Sequence, residues 1–189
     1  MARPPRKKKD IERAALELFA ETGIDGASIR MIAERAGVTE GALYRHHKSK
    51  DDLVRALFAE AYEQYAAMMD GVRAEHSTFA GRVRAMVEGF FRAYDADFYA
   101  FRFVLLVQHD VLDKVRVSER GPTDVIIESL KEAVAAGEVP KQDLVLASQF
   151  MLGIVMQTAT AHRYGRIEGA LARYADEVAA ACLRAVRAA

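Results

Sequence analysis

The sequence predicts an all-α fold of about nine helices, a small N-terminal head followed by a larger helical domain. Three observations lead there. Apolar residues recur at helical spacing, as in Ile11, Ala14, Ala15, Leu18 and Phe19. No stretch alternates apolar and polar residues in the manner of a strand. Helix punctuation falls between the periodic segments, at Gly23, Gly37, Ser49, Gly121-Pro122, Gly137 and Pro140. With 189 residues, 51% of them hydrophobic, the chain has ample apolar surface for a core.

Taken in order, the segment RPPRKKK from Arg3 to Lys9 reads as a basic arm that is not helical at its start, because Pro4 and Pro5 lack amide donors. Such an arm is either solvated or in contact with phosphates or a minor groove. A first amphipathic helix runs from Asp10 to Thr22 and stops at Gly23. Ser28 caps a second, which carries Ile29, Ile32, Ala33 and Ala36 on one face. Gly37 ends it in the left-handed conformation, and Thr39 caps a third, from Glu40 to about His47. Two short helices around so tight a turn form a helix-turn-helix, and the first helix gives it a core. Ser49 and Asp52 form a capping pattern for a long fourth helix, apolar along Leu53, Leu57 and Ala61 through about Val72. Further helices are predicted at about 79–94, 98–109, 122–136, 143–164 and 170–188. The domains are then 1–50, the head with its arm, and 51–189.

Charge separates the same two regions. Basic and acidic residues both number 27, but residues 1–50 hold eleven basic groups against seven acidic ones. A basic helix-turn-helix points to double-stranded DNA. The single cysteine, Cys182, excludes an intrachain disulfide and fits a reducing cytoplasm. The charged N-terminus is no signal peptide. The apolar stretch from Leu144 to Ala161 is interrupted by Ser148, Gln149, Gln157, Thr158 and Thr160, which favours a core or interface helix over a membrane span.

Phe19, Gly23, Ile32-Ala33, Ala36-Gly37-Val38, Gly41, Leu43-Tyr44, His46, Ser49-Lys50 and Leu53 together resemble the N-terminal signature of the TetR family of bacterial transcriptional regulators. The resemblance covers about Ile11 to Val54. It implies a homodimer paired through its two C-terminal helices, a small-molecule pocket among helices four to eight, and release of a pseudopalindromic operator when a mostly apolar effector moves helix four. One departure is His47, where the family usually has a phenylalanine packed under helix three.

The DNA-facing residues expected are Ser28, Arg30, Thr39, Glu40, Gly41, Ala42, Tyr44, Arg45, His46 and Lys50. Tyr44, His46, Lys50 and the amides beside Ser28 suit phosphates. The fork of Arg45 matches guanine, Arg30 follows by family position, and Ala42 suits a thymine methyl. Glu40 favours the helix N-terminus. The pocket expected is Phe90, Tyr94, Phe98, Phe101, Gln108, His109, Phe150 and Gln157, where polar groups would orient an apolar ligand. Ala179, Leu183 and Val186 lie on one face of the last helix and suit an interface. No metal, cofactor or enzymatic activity is expected. A metal-dependent hydrolase built on His109 and Asp110 has no supporting motif, and a helical protein-interaction module is the other alternative.

Overall fold

The computed structural model describes residues 4–111 and 121–187, with the side chains of 4–6, 105–111 and 187 left aside. Among the described residues there are nine α-helices, one 3-10 turn and no strand: α1 (Pro4–Gly26), α2 (Ile29–Arg35), α3 (Glu40–Tyr44), α4 (Lys50–Glu75), α5 (Phe79–Ala96), α6 (Phe98–Val111), α7 (Pro122–Ala135), α8 (Leu144–Arg163), the 3-10 turn Leu171–Tyr174, and α9 (Ala175–Arg187). They divide into two compact units. The first holds α1–α3, α4 through Ala61, and α6; the second holds α4 from Tyr62, α5, α7, α8, the 3-10 turn and α9. The division thus falls inside α4, and α6 groups with the head.

In the first unit the basic segment is helix from Pro4, which corrects the expectation of a non-helical start. Both prolines sit in the first turn, where the helix needs no amide donor. Arg3 lies outside the described residues. Gly23 interrupts α1 with φ 77° and ψ 167°, a left-handed φ that glycine adopts at little cost. Ile11, Ala15, Phe19, Ile32, Leu43, Leu53, Phe58 and Phe103 form the core and are at most 1% exposed. Burying each large side chain contributes about 1.5–3 kcal/mol. The Phe103 ring stacks on Phe19 at 5.7 Å, and Arg13 Nη1 donates to Asp97 Oδ2 at 2.6 Å. Asp97 Oδ1 accepts the Ala100 amide at 3.1 Å, so one carboxylate both caps α6 and ties it to α1.

The second unit packs α9 against α5 and α8, and α7 against α8. A Cβ on Gly89 would stand 2.8 Å from Met68 Sδ, so the thioether of α4 packs directly over the Gly89 backbone of α5. Arg82, 5% exposed, pairs with Glu132 of α7. Arg73 of α4 pairs with Glu128 and lies 3.6 Å from Glu132. Asp95 accepts the amides of Leu171 and Ala172 at 2.9 Å each, which fixes the 3-10 turn on the end of α5.

Candidate nucleic-acid interface

The turn between α2 and α3 is closed by backbone bonds. Gly37, at φ 64°, lets the Val38 amide reach Ala33 O at 2.9 Å and its own amide reach Glu34 O at 3.2 Å. This double closure satisfies carbonyls at the end of α2 and sets the sharp angle. Ser28 Oγ accepts the Met31 amide and Thr39 Oγ1 the Ala42 amide, both at 3.2 Å, so each predicted cap is present. The capping pattern of α4 differs in detail. Ser49 Oγ accepts the Asp52 amide at 3.0 Å, but the Asp52 carboxylate returns to the amide of Lys48, not to that of Ser49.

With Ile32, Ala33 and Leu43 turned inward, the outward set is well defined. Ser28, Arg30, Thr39, Glu40, Gly41, Tyr44 and Arg45 are exposed, Tyr44 at 50%, and His46 is partly so. α3 ends at Tyr44, shorter than expected, and Arg45 is its C-cap with helical backbone angles. Ala42 is buried, its methyl facing the head, because the i+3 step from Thr39 brings it beside Leu43 under the helix; it is not a surface for a thymine methyl. Lys50 Nζ donates to Ile24 O at 2.9 Å and Ala27 O at 3.1 Å, clamping the α1–α2 turn with two of its three protons. Lys48 and Met31, exposed beside this set, were not singled out in the sequence. Met31 lies just off the apolar stripe of α2, the signal that could have marked it.

His47 is 3% exposed and its Nε2 has no hydrogen-bond partner. Glu12 Oε1 lies 3.7 Å away, and Lys8 Nζ is 3.3 Å from that same oxygen. Burial lowers the imidazole pKa below its ordinary 6.5; Glu12 and Asp52 oppose the shift, Lys8 and His46 add to it. The unfolded chain therefore takes up this proton first as pH falls. The head should keep the full contribution above about pH 6.5 and lose stability from there downward until the folded pKa is reached. His47→Phe replaces an unmade buried hydrogen bond, a penalty of about 1–3 kcal/mol, with a ring of similar shape. Thermal melts should show the variant about 1 kcal/mol more stable at pH 7.5, with a margin that widens at pH 5.5. A variant less stable at both pH values would contradict this account.

The expected pocket residues are divided between the two units. Tyr94 is buried in the second unit, its hydroxyl 2.8 Å from His162 Nδ1, while His162 Nε2 lies 2.7 Å from Gly169 O. A carbonyl only accepts, so Nε2 carries the proton, and Nδ1 accepts from Tyr94. Burial raises the Tyr94 pKa, with Asp95 adding to it. Phe90 packs its ring against Tyr65 at 5.5 Å. Phe101 is fully buried in the first unit and Phe98 is partly exposed at the start of α6. Gln108 and His109 lie where side chains are outside the described residues, as does Asp110.

Phe150 and Gln157 are corrected outright. They stand on the exposed face of α8 with Leu146 and Gly153, because the inward positions of that helix are Ala147, Ser148, Met151 and Ala159. On α9 the inward face is Val178, Ala179, Cys182 and Val186, so Ala179 and Val186 are core within this chain, and Leu183 is half-exposed. Burial pushes the Cys182 thiol up to about 11, the state of an inert packed side chain. Among the described residues no cluster of three or more His, Cys, Asp or Glu is arranged to hold a metal.

Comparison with known proteins agrees with this geometry. The sequence profile of bacterial regulatory proteins of the tetR family matches residues 11–57. The chain is 27% identical over 159 residues to the fatty acid metabolism regulator protein of Bacillus subtilis, spanning 82% of each. It is 53% identical over 49 residues to the class A tetracycline repressor of Escherichia coli, covering 26% of this chain and 22% of that one. The crystal structure of the transcriptional regulator FadR from Bacillus subtilis in complex with stearoyl-CoA superposes with a TM-score of 0.80 at 23% identity, covering 95% of this chain and 99% of that one. The signature thus lies on the head, where residues 11–57 match the tetR family of bacterial regulatory proteins, and the fold shared with the solved regulator runs through both units.

Proposed function

We propose that the protein is a cytoplasmic repressor that binds a pseudopalindromic operator as a homodimer and leaves it when a long-chain fatty acyl-CoA binds. The observation that carries the DNA part is the segregation of α2 and α3: an apolar side fills the head, and the opposite side is polar, small or basic. Tyr44, His46 and the α2 amides beside Ser28 fix phosphates, with one remaining proton of Lys50. Arg45 and Arg30 read base edges, Gly41 lets α3 approach, and the Glu40 carboxylate sits in the first turn of α3, where it complements the helix dipole.

Dimerisation through α8 and α9 is supported by an apolar face with nothing over it in the monomer. Val145 is 60% exposed, Leu146 51%, Phe150 49% and Tyr164 64%. A second copy covers such a face by two-fold symmetry, which also gives the operator its symmetry. The effector class is supported by the relatives named for fatty acid metabolism and by the stearoyl-CoA bound to the solved Bacillus subtilis regulator. An acyl chain is the mostly apolar ligand that an aromatic-rich helical interior suits.

A gel-shift assay on the DNA flanking the protein's own gene tests both parts. The fragment should be retarded, and stearoyl-CoA should release it where coenzyme A alone does not. No retardation of any flanking fragment sinks the DNA reading. Retardation that persists at saturating stearoyl-CoA sinks the effector class alone.

A further inference from the structure

We propose that Lys7 and Lys9, on the first turns of α1, grip the DNA backbone outside the base pairs read by α3. The inference rests on the DNA-binding reading above and adds a second contact surface to it. Because α1 begins at Pro4, these lysines stand on a helix continuous with the core positions Ile11, Ala15 and Phe19, so less freedom is lost when they engage than from a loose tail. Both are exposed, and among the described residues neither has an acidic partner. Lys8 between them has one, Glu12, at 3.3 Å.

Position supplies the second part of the argument. The Glu12 carboxylate that holds Lys8 lies 3.7 Å from Nε2 of His47, two residues beyond Arg45. The start of α1 is thereby packed beside the end of the recognition segment, and its lysines extend the basic edge formed by Arg45, His46 and Lys48. Lys7 and Lys9 flank Lys8 on the helix, each turned about 100° from it. The local charge pattern conflicts with helix stability. The first turn of α1 holds no acidic residue, and the sequence stacks Arg6, Lys7, Lys8 and Lys9 near the positive pole of the helix. Anionic side chains are the stabilising choice there. A polyanion seated against this end offsets the repulsion, and DNA on the adjoining surface is that polyanion.

The test is the salt dependence of binding by the full-length protein to the flanking DNA fragment, followed by fluorescence anisotropy. Each lost phosphate contact should reduce the slope of log K against log salt by about 0.9. For Lys7→Gln/Lys9→Gln in a dimer the slope should be shallower by about 2 to 4, with binding at least about tenfold weaker at near-physiological salt and base preference unchanged. Lys7→Arg/Lys9→Arg should keep the wild-type slope. If the wild type binds and the glutamine variant shows the same slope, the contact surface is overturned, whether affinity is unchanged or uniformly reduced through the fold. If the wild type does not bind, the DNA reading fails instead.

Discussion

Glu132→Ala should destabilise the second unit by about 2 to 3 kcal/mol. Arg82 is the reason: its guanidinium is buried, its nearest carboxylate is Glu132, and Glu138 is 3.9 Å from Nη2. Removing Glu132 leaves that charge in a place water does not reach, and takes a carboxylate 3.6 Å from Arg73 as well. A buried pair broken from one side typically costs about 3–5 kcal/mol; Glu132 is half-exposed, which reduces the figure. Replacing both partners, Arg82→Met with Glu132→Gln, should restore most of the loss, because a buried ion pair is worth little more than well-packed apolar side chains. Urea unfolding of the single and double variants measures the difference. If the double variant were no more stable than Glu132→Ala, the unpaired charge would not be the cause.

Arg45→Ala should weaken operator binding by about 1 to 3 kcal/mol and relax the preference at one operator position. Arg45 is exposed, it follows Tyr44 directly at the end of α3, and its guanidinium has the fork that matches guanine O6 and N7. The check is a panel of operators substituted one base pair at a time, each titrated with wild type and variant. Weakening by one factor on every operator would make Arg45 a phosphate contact, with Arg30 left as the base reader.

These two sites differ in how visible they were beforehand. Arg45 could be found from the sequence because the helix-turn-helix is a local device: Ser28, Gly37 and Thr39 act on backbone atoms within five residues of themselves, and the apolar spacing fixes which side chains are left outside. The Arg73, Arg82, Glu128, Glu132 and Glu138 network joins residues up to 59 positions apart, as in the bond from the Phe79 amide to Glu138. No spacing rule reports such a contact. Ala42 shows the limit even within the head, since one helical step decides whether a methyl faces outward or inward, and a five-residue helix leaves that step undefined until its neighbours are placed.

α8 makes the same point on a larger scale. Its apolar residues surround the helix, so periodicity could not distinguish the face that packs inward from the face that lies bare. Phe150 and Gln157 were assigned to an interior they do not line. Gln108 and His109 showed only a polar residue among apolar ones, a pattern common to cores and pockets alike.

The sequence by itself determined the helix order, the caps and the head with its basic charge, because short-range hydrogen bonding and hydrophobic periodicity act over a few residues. Only the tertiary structure decided that the basic N-terminal segment continues α1, that Lys50 clamps a turn, that His47 is buried without a partner and that α6 groups with the head. Each of these depends on which distant surface a side chain meets, and that follows from packing the whole chain.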